Sequence, residues 1–577
     1  MRHSAIAPRP SEPEQGHERP ASPASDVASR FLAQLAHYSD GIGWVHVLEL
    51  WRRHGVVEQL ARADASGIVL GRLSAQTGAN LGYLAVMCRV LDAQGWLWRE
   101  VHPDPARTRV GSTPAGAHLL SLIEIGPQTA ELVSFLPIAR NMREYLAGKL
   151  DVPAGAPSLA QLARWSRDGW DLPRHPGARH AGVERLEAAL DGNLLGPIAV
   201  AAALGAPPFG ASRDPEHRSY LGRDATRRLM PDGERQHAAL DVLAKAGWAT
   251  WRAGGAELTD LGAYALRRAL AFGVPVSYLP LFEQAEELCF GDAERFWQRG
   301  PSEPERHVDR TLNVRASGAS HGRYFGAADP IIGRLFDLPF AEQPLGFCDM
   351  GSGDGAWLEH VWHLITERTE RGRLMRAFPR DERYRPLLVG VDYNAAAREA
   401  TRARLEGAGI PHLVLAGNID DPGGLRAELA RRGLDSSRLL HGNSFIVHNR
   451  PFSGVRDPGA LLERRAAREP AYAWRGRALP NRDVEQNLVE FFGAWRPVLG
   501  PSGMVSIELH DPEHVSAGKT LTSYMLTHGL SDQLTVGVGP FLRAAADAGL
   551  AADPDTQRFF PEPAELAAIS VSHLRPR

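Results

Sequence analysis

Residues 346–357 read GFCDMGSGDGAW, and the fold turns on this stretch. A short apolar run carries Asp349 near its end. Gly351, Gly353 and Gly355 follow at alternate positions, and a helical pattern opens at Ala356. Glycine turns a backbone tightly and lets a ligand approach where a Cβ would stand. The spacing is G-x-G-x-G, with an acid two residues before the first glycine. That is the form for S-adenosylmethionine, distinct from the G-x-G-x-x-G form that cradles a pyrophosphate.

The next apolar run, PLLVGVD (386–392), ends in Asp392, whose two oxygens suit the ribose hydroxyls. Its distance from Gly355 exceeds the usual span of roughly 20 residues. The excess lies at 367–385, which reads as a charged, solvated extension of the preceding helix. Tyr393 is placed to flank the adenine. The run HLVLAGNI (412–419) ends in Gly417, Asn418 and Ile419, where class I methyltransferases commonly carry an acid near the adenine amine. Asn418 still accepts a hydrogen bond but without charge, and Asp420 and Asp421 stand beside it.

Outward from these motifs, strand and helix patterns alternate. Helices are expected at 356–369, 395–408, 423–432 and 484–495, with strands at SFIVHN (444–449) and MVSIELH (504–510) and a closing hairpin at 559–574. The pattern predicts an α/β fold: a Rossmann-like, doubly wound, mostly parallel sheet with ligands beyond its carboxyl edge. At that edge the sequence places His448, and Gln486 at the opening of the next helix. A lone histidine at a strand end is more often structural than a ligand. Glu508 and His510 alternate onto one face, which makes His510 a rival general base. Residues 433–437, GLDSS, imitate a phosphopantetheine attachment motif but read as a helix-to-strand turn.

The 577 residues hold 44% hydrophobic and 23% charged side chains, with 68 acids against 65 bases. That composition suits a multi-domain globular enzyme and argues against a general nucleic-acid partner. Three scattered cysteines suit a reducing cytoplasm. No apolar run reaches the ~18 residues of a membrane span, and the proline-rich start is no secretory signal. Residues 1–26 read as a disordered tail, 27–125 as a winged-helix-like module, 126–300 as a helical lobe with a second such unit, and 301–577 as the catalytic core. The two units share a motif: VLDAQGWLWR (90–99) and VLAKAGWATWR (242–252) each precede T-x-x-G-A. Their helices offer few cations (Arg89; Arg235 and Lys245), which favours a packing or homodimerisation role over DNA binding.

A wider set of motifs carries a resemblance: HVDRTLNVRASGASHGRYF (307–325), DMGSGDGAW, GVDYN, GNI, FIVHNRPF, VEQNL, IELH and THGLSDQ (527–533). The chain is similar to the C-methyltransferase domains of polyketide loading modules of the apratoxin and saxitoxin type. The resemblance implies methyl transfer from S-adenosylmethionine to the α-carbon of a malonyl group, in secondary metabolism such as antibiotic biosynthesis. It further implies a single Fe²⁺ or Mn²⁺ held by His448 and Gln486. No carrier domain follows the core, so a small-molecule or acyl-carrier-protein-bound substrate is expected in trans. The insertion 451–482 is expected to form a lid. Two other readings stay open: a metal-independent O- or N-methyltransferase of a small natural product, and a winged-helix regulator.

Overall fold

The structure is a computed structural model. It describes residues 23–577 apart from 174–177, 211–227, 299–302, 304, 463, 465, 467–468 and 512–521. The expected tail therefore lies outside the described residues up to residue 22, and a helix already runs Pro23–Ser39.

The N-terminal half is a helical lobe around one apolar core. Trp44, Trp51, Leu84, Phe135, Leu190 and Ile198 belong to it. Its longest helix, Ala178–Ala203, is buried from Ala188 to its end because that part runs through the middle. The segment Gly182–Ala203 has the length and composition of a membrane span, a run that the sequence reading passed over. In the protein 94% of its apolar window is buried.

Two small antiparallel sheets carry the repeat. In the first, β1 (Ile68–Val69), β2 (Leu97–Glu100) and β3 (Arg109–Ser112) lie in the order β1-β3-β2. In the second, β4 (Arg228–Leu229), β5 (Ala249–Arg252) and β6 (Gly255–Leu258) lie in the order β4-β6-β5. The T-x-x-G motif has the same job in both. Thr113 Oγ1 accepts from Gly116 N at 3.0 Å, and Thr259 Oγ1 accepts from Gly262 N at 3.0 Å. A Cβ on Gly116 would stand 1.7 Å from Trp96 O, and one on Gly262 would stand 1.8 Å from Trp248 O. Only glycine lets each helix start so close to its strand. The few cations are engaged internally. Arg89 pairs with Asp511, Arg235 lies 4.5 Å from the Tyr145 ring, and Lys245 bridges Glu187 and Asp191.

The C-terminal half is the expected doubly wound sheet. Its parallel strands are β7 (Gly346–Met350), β8 (Leu387–Asp392), β9 (His412–Ala416), β10 (Leu440–Ser444) and, after a separate hairpin of β11 (Tyr472–Trp474) and β12 (Arg477–Leu479), β13 (Met504–Leu509). The antiparallel β14 (Leu550–Ala552), β15 (Arg558–Phe560) and β16 (Ile569–Pro576) close one side. The order is β14-β16-β13-β10-β7-β8-β9, with β15 on β16. Asp349 pairs with Gly390 and Asp392 with Ala416, so both acids reach the same carboxyl edge.

Three local expectations are corrected. Residues 367–385 are mostly exposed, as expected, but they do not extend the helix: it breaks at Thr369, and a second helix, Glu370–Ala377, follows. Its Arg371 is only 2% exposed and donates to Pro344 O at 3.0 Å. The strand expected at 444–449 is β10, which ends at Ser444. His441 and Asn443 are buried there because Ser436 O lies 2.9 Å from the His441 ring and Ser506 Oγ donates to Asn443 at 2.9 Å. Phe445 then takes a positive φ of 55°, and His448 sits in a 3₁₀ turn, Val447–Asn449. The helix carrying Gln486 begins at Asn481, so Gln486 lies in its second turn rather than at its opening. The 451–482 insertion has the β11–β12 hairpin at its far end, which clasps the N-terminal lobe. Gly82 N donates to Gly476 O at 2.8 Å, and Ala473 joins that lobe's core. Residues 433–437 do form a helix-to-strand turn, capped by Asp435.

Candidate active site

The glycine loop has the conformation its sequence demands, with φ of 80°, 56° and 80° at Gly351, Gly353 and Gly355. Two of these glycines are required by packing. A Cβ on Gly351 would fall 2.5 Å from Ile446 Cδ1, and one on Gly355 would fall 3.2 Å from Thr401 Cα. At Gly353 the nearest atom, Gly351 O, is 4.0 Å away, so that position faces open space. Thr401, which sequence reasoning missed, ties the loop down from the next helix. It donates to Gly353 O at 3.0 Å and meets Ser352 Oγ at 3.0 Å. Arg404, one turn further along, bonds the Asp354 carboxylate at 2.7 Å. This spacing of one helical turn on 395–407 was the available signal.

Asp349 is 1% exposed, and its Oδ1 has no hydrogen-bond partner among the described residues. Burial pushes its carboxyl well up, and the nearby Asp392 and Asp354 add to the shift. A buried carboxylate oxygen without a partner asks for a donor. The ammonium of the cofactor's methionine half would supply one and relieve the crowding of three acids. Asp392 accepts from Gly353 N at 3.2 Å and Asn394 N at 2.8 Å, and burial raises its carboxyl. It thus bridges the glycine loop to the edge where the ribose belongs. Tyr393 is 61% exposed, open for an adenine face. Asn418 is exposed and accepts from Asp420 N at 3.2 Å, while Ile419 is buried and its carbonyl accepts from Trp495 Nε1 at 2.9 Å. Asp420 Oδ2 lacks a partner among the described residues, and burial lifts its carboxyl to about 6.

His448 is 5% exposed, and its Nδ1 bonds the buried Glu508 carboxylate. Burial pushes the Glu508 carboxyl up, but His448 more than offsets that and holds it below its ordinary value. The other Glu508 oxygen accepts from Val447 N at 2.7 Å, so one carboxylate fixes both the turn and the ring. With Nδ1 donating, Nε2 carries the lone pair, and its one contact there is a long one, 3.4 Å from Asn449 Nδ2. Ile446, two residues earlier, is the side chain against Gly351, which sets this turn beside the cofactor loop. The His528 ring stands edge-on to His448 at 5.5 Å.

The other two site expectations are not met by the geometry. His510 has both ring nitrogens occupied, Nδ1 3.0 Å from Val536 O and Nε2 2.7 Å from Ser570 Oγ. Burial lowers it to about 4, and Glu508 serves His448 instead. Gln486 is buried and already partnered by side chains outside the glycine loop and the His448 turn. Its helix packs Val484, Leu488, Phe491, Phe492 and Trp495 into the sheet's core, and Gln486 lies on the opposite side of that helix. Its Oε1 accepts from Arg464 Nε at 2.9 Å and its amide meets Glu490 at 3.3 Å. Among the described residues no three His, Cys, Asp or Glu side chains group in a way that could hold a metal.

Residues 305–572 match the family model described as AprA MT2-like domain, which spans the sheet, the glycine loop and the His448 turn. The chain is an S-adenosylmethionine-dependent methyltransferase. Residues 224–292 of the methyltransferase match the AprA winged helix domain, and 31–99 match the AprA N-terminal domain. No curated protein matches its sequence. Among solved structures it is similar to an O-methyltransferase family protein from Burkholderia thailandensis, at 14% identity and TM-score 0.33 over 59% of this chain and 84% of that one. It is also similar to CalO1, a methyltransferase in calicheamicin biosynthesis, at 16% identity and TM-score 0.32, over 70% of this chain and 100% of that one. A third is RosA, a riboflavin-derivative dimethyltransferase from Streptomyces davawensis, at 15% identity and TM-score 0.32 over 60% of this chain and 86% of that one.

Proposed function

We propose that this enzyme C-methylates a malonyl-type or β-dicarbonyl acceptor, either a small molecule or one held on a carrier protein. The observation that carries the proposal is the buried His448–Glu508 pair beside the glycine loop. His448 Nε2 takes the α-proton, and Glu508 steadies the imidazolium that forms. The carbon's electron pair then attacks the sulfonium methyl in line. The sulfur–methyl bond breaks with its electrons on sulfur, leaving S-adenosylhomocysteine. Burial of the pair keeps water from the carbanion.

The resemblance also supplies Fe²⁺ or Mn²⁺ at His448 and Gln486. His448 suits a ligand in part, with one nitrogen on a carboxylate and the other facing only the Asn449 amide, 3.4 Å away. Gln486 does not fit, because its carbonyl is held by Arg464 on the far side of its helix. No step is therefore routed through a metal.

The test supplies S-adenosylmethionine and a malonyl thioester and locates the new methyl by NMR. Carbon methylation is the expected result, and methyl on oxygen or nitrogen refutes it. His448→Ala should abolish turnover while leaving cofactor affinity within about twofold, because the glycine loop and Asp392 hold the cofactor. Exhaustive chelation should leave turnover intact. Reversible loss restored by Fe²⁺ or Mn²⁺ would return the metal to His448.

A further inference from the structure

The helix Thr522–Leu530 and the turn after it hold a motif that the steps above leave unused. Its final residue, Gln533, is 8% exposed, and its Oε1 has no hydrogen-bond partner among the described residues. Its amide nitrogen stands between two hydroxyls. Ser531 Oγ donates to Thr527 O at 2.5 Å and accepts from Gln533 Nε2 at 3.0 Å. The same nitrogen donates to Tyr278 Oη at 2.9 Å. With both amide hydrogens used, the oxygen is the open end.

Gln533 lies beside the His448 turn. Leu534 N donates to His448 O at 2.8 Å, and Gln533 N donates to His528 O at 2.9 Å. The Tyr278 ring lies 6.2 Å from His528, which stands 5.5 Å from His448. Tyr524 stacks on His528 at 5.8 Å, and its phenol is pushed up by burial and then by Tyr324 and Tyr278. Phenols from the helical lobe and from the core thus meet over the His448 turn. The backbone is held there as well: Asp532 takes a positive φ of 58°, secured by Tyr83 Oη at 2.8 Å and Arg475 N at 2.9 Å on its carboxylate.

We infer that Gln533 Oε1 accepts a hydrogen bond from the methyl acceptor, so that the enzyme selects acceptors with an N–H or O–H donor near the reacting carbon. The inference rests on the C-methylation reading. A bare carboxylate offers only acceptors and leaves Gln533 unsatisfied. An amide-bearing acyl thioester fills it. A buried group built to pair with a substrate donor discriminates strongly against an analogue that lacks the donor.

The test uses the full chain and two malonyl thioesters. One is the N-acetylcysteamine thioester, which has an amide N–H. The other is its 2-acetoxyethyl counterpart, in which an ester oxygen replaces that N–H. The wild-type enzyme should prefer the amide by about a hundredfold or more in kcat/KM. Gln533→Leu should shrink the preference to about threefold or less, with the Kd for S-adenosylmethionine unchanged. Equal use of both thioesters by the wild type overturns the inference and leaves C-methylation standing, whether or not the variant folds. A variant that keeps the wild-type preference overturns it too. If neither thioester is methylated, the acceptor reading fails, and this inference fails with it.

Discussion

Gly353→Ala separates a loop that holds cofactor from one that merely turns. The three glycines differ in what a methyl group would meet. At Gly351 it strikes Ile446 Cδ1 at 2.5 Å, at Gly355 it crowds Thr401 Cα at 3.2 Å, and at Gly353 nothing lies closer than 4.0 Å. The fold thus tolerates alanine at 353 except for its positive φ of 56°. A non-glycine residue there costs about 1–2 kcal/mol. The added methyl points into the space that the bound cofactor needs. It also crowds the amide that donates to Asp392 at 3.2 Å. A loss of about 1.4 kcal/mol in binding is tenfold in Kd, and overlap together with a weakened hydrogen bond should exceed that. Calorimetry with S-adenosylhomocysteine should therefore show at least about a tenfold weaker Kd, with a cooperative unfolding transition retained. An unchanged Kd in a folded variant would remove the loop from the cofactor site.

Two further outcomes concern the joint between the lobes. Arg89→Met should destabilise the enzyme by about 3–5 kcal/mol, because it leaves Asp511, 6% exposed, buried without its charge partner. Adding Asp511→Asn should recover much of the loss in urea unfolding, and no recovery would mean that packing rather than charge is at stake. Asp40 is buried between Gln94 Nε2 at 2.9 Å and Ser523 N at 3.1 Å, and burial raises its carboxyl to about 7. The unfolded chain releases that proton near 3.8, while the folded one keeps it to about 7. Stability should therefore fall as pH rises across that window, and Asp40→Asn should flatten the fall. Equal urea-midpoint slopes in the two proteins would refute the assignment.

The core and its cofactor loop were legible because their signals are local. The G-x-G-x-G spacing, the acid closing PLLVGVD and the alternation of apolar runs each depend on residues within one or two turns of each other. The repeated T-x-x-G-A was legible for the same reason, and its physical basis is the approach of Gly116 and Gly262 to the Trp96 and Trp248 carbonyls. The strand at 444–449 was misplaced because FIV is more apolar than LHGNS. A bond back to the turn at Ser436 and a cross-strand bond to Ser506 are what let His441 and Asn443 be buried.

By itself the sequence determined a doubly wound core with a cofactor edge, a helical lobe before it and the short list of polar residues near that edge. Only the tertiary structure decided which of them meet. His448 and Glu508 lie 60 residues apart and pair because β10 and β13 are neighbours in parallel register. Gln486 faces Arg464 because the apolar side of its helix is claimed by the sheet. Gln533 stands beside the His448 turn because the helix before it is buried in the N-terminal lobe through Leu526 and Leu530. Periodicity along a chain reports which face a residue takes within its own element. Which group waits opposite that face depends on strand register, helix rotation and lobe packing, and these are fixed only when the whole core closes.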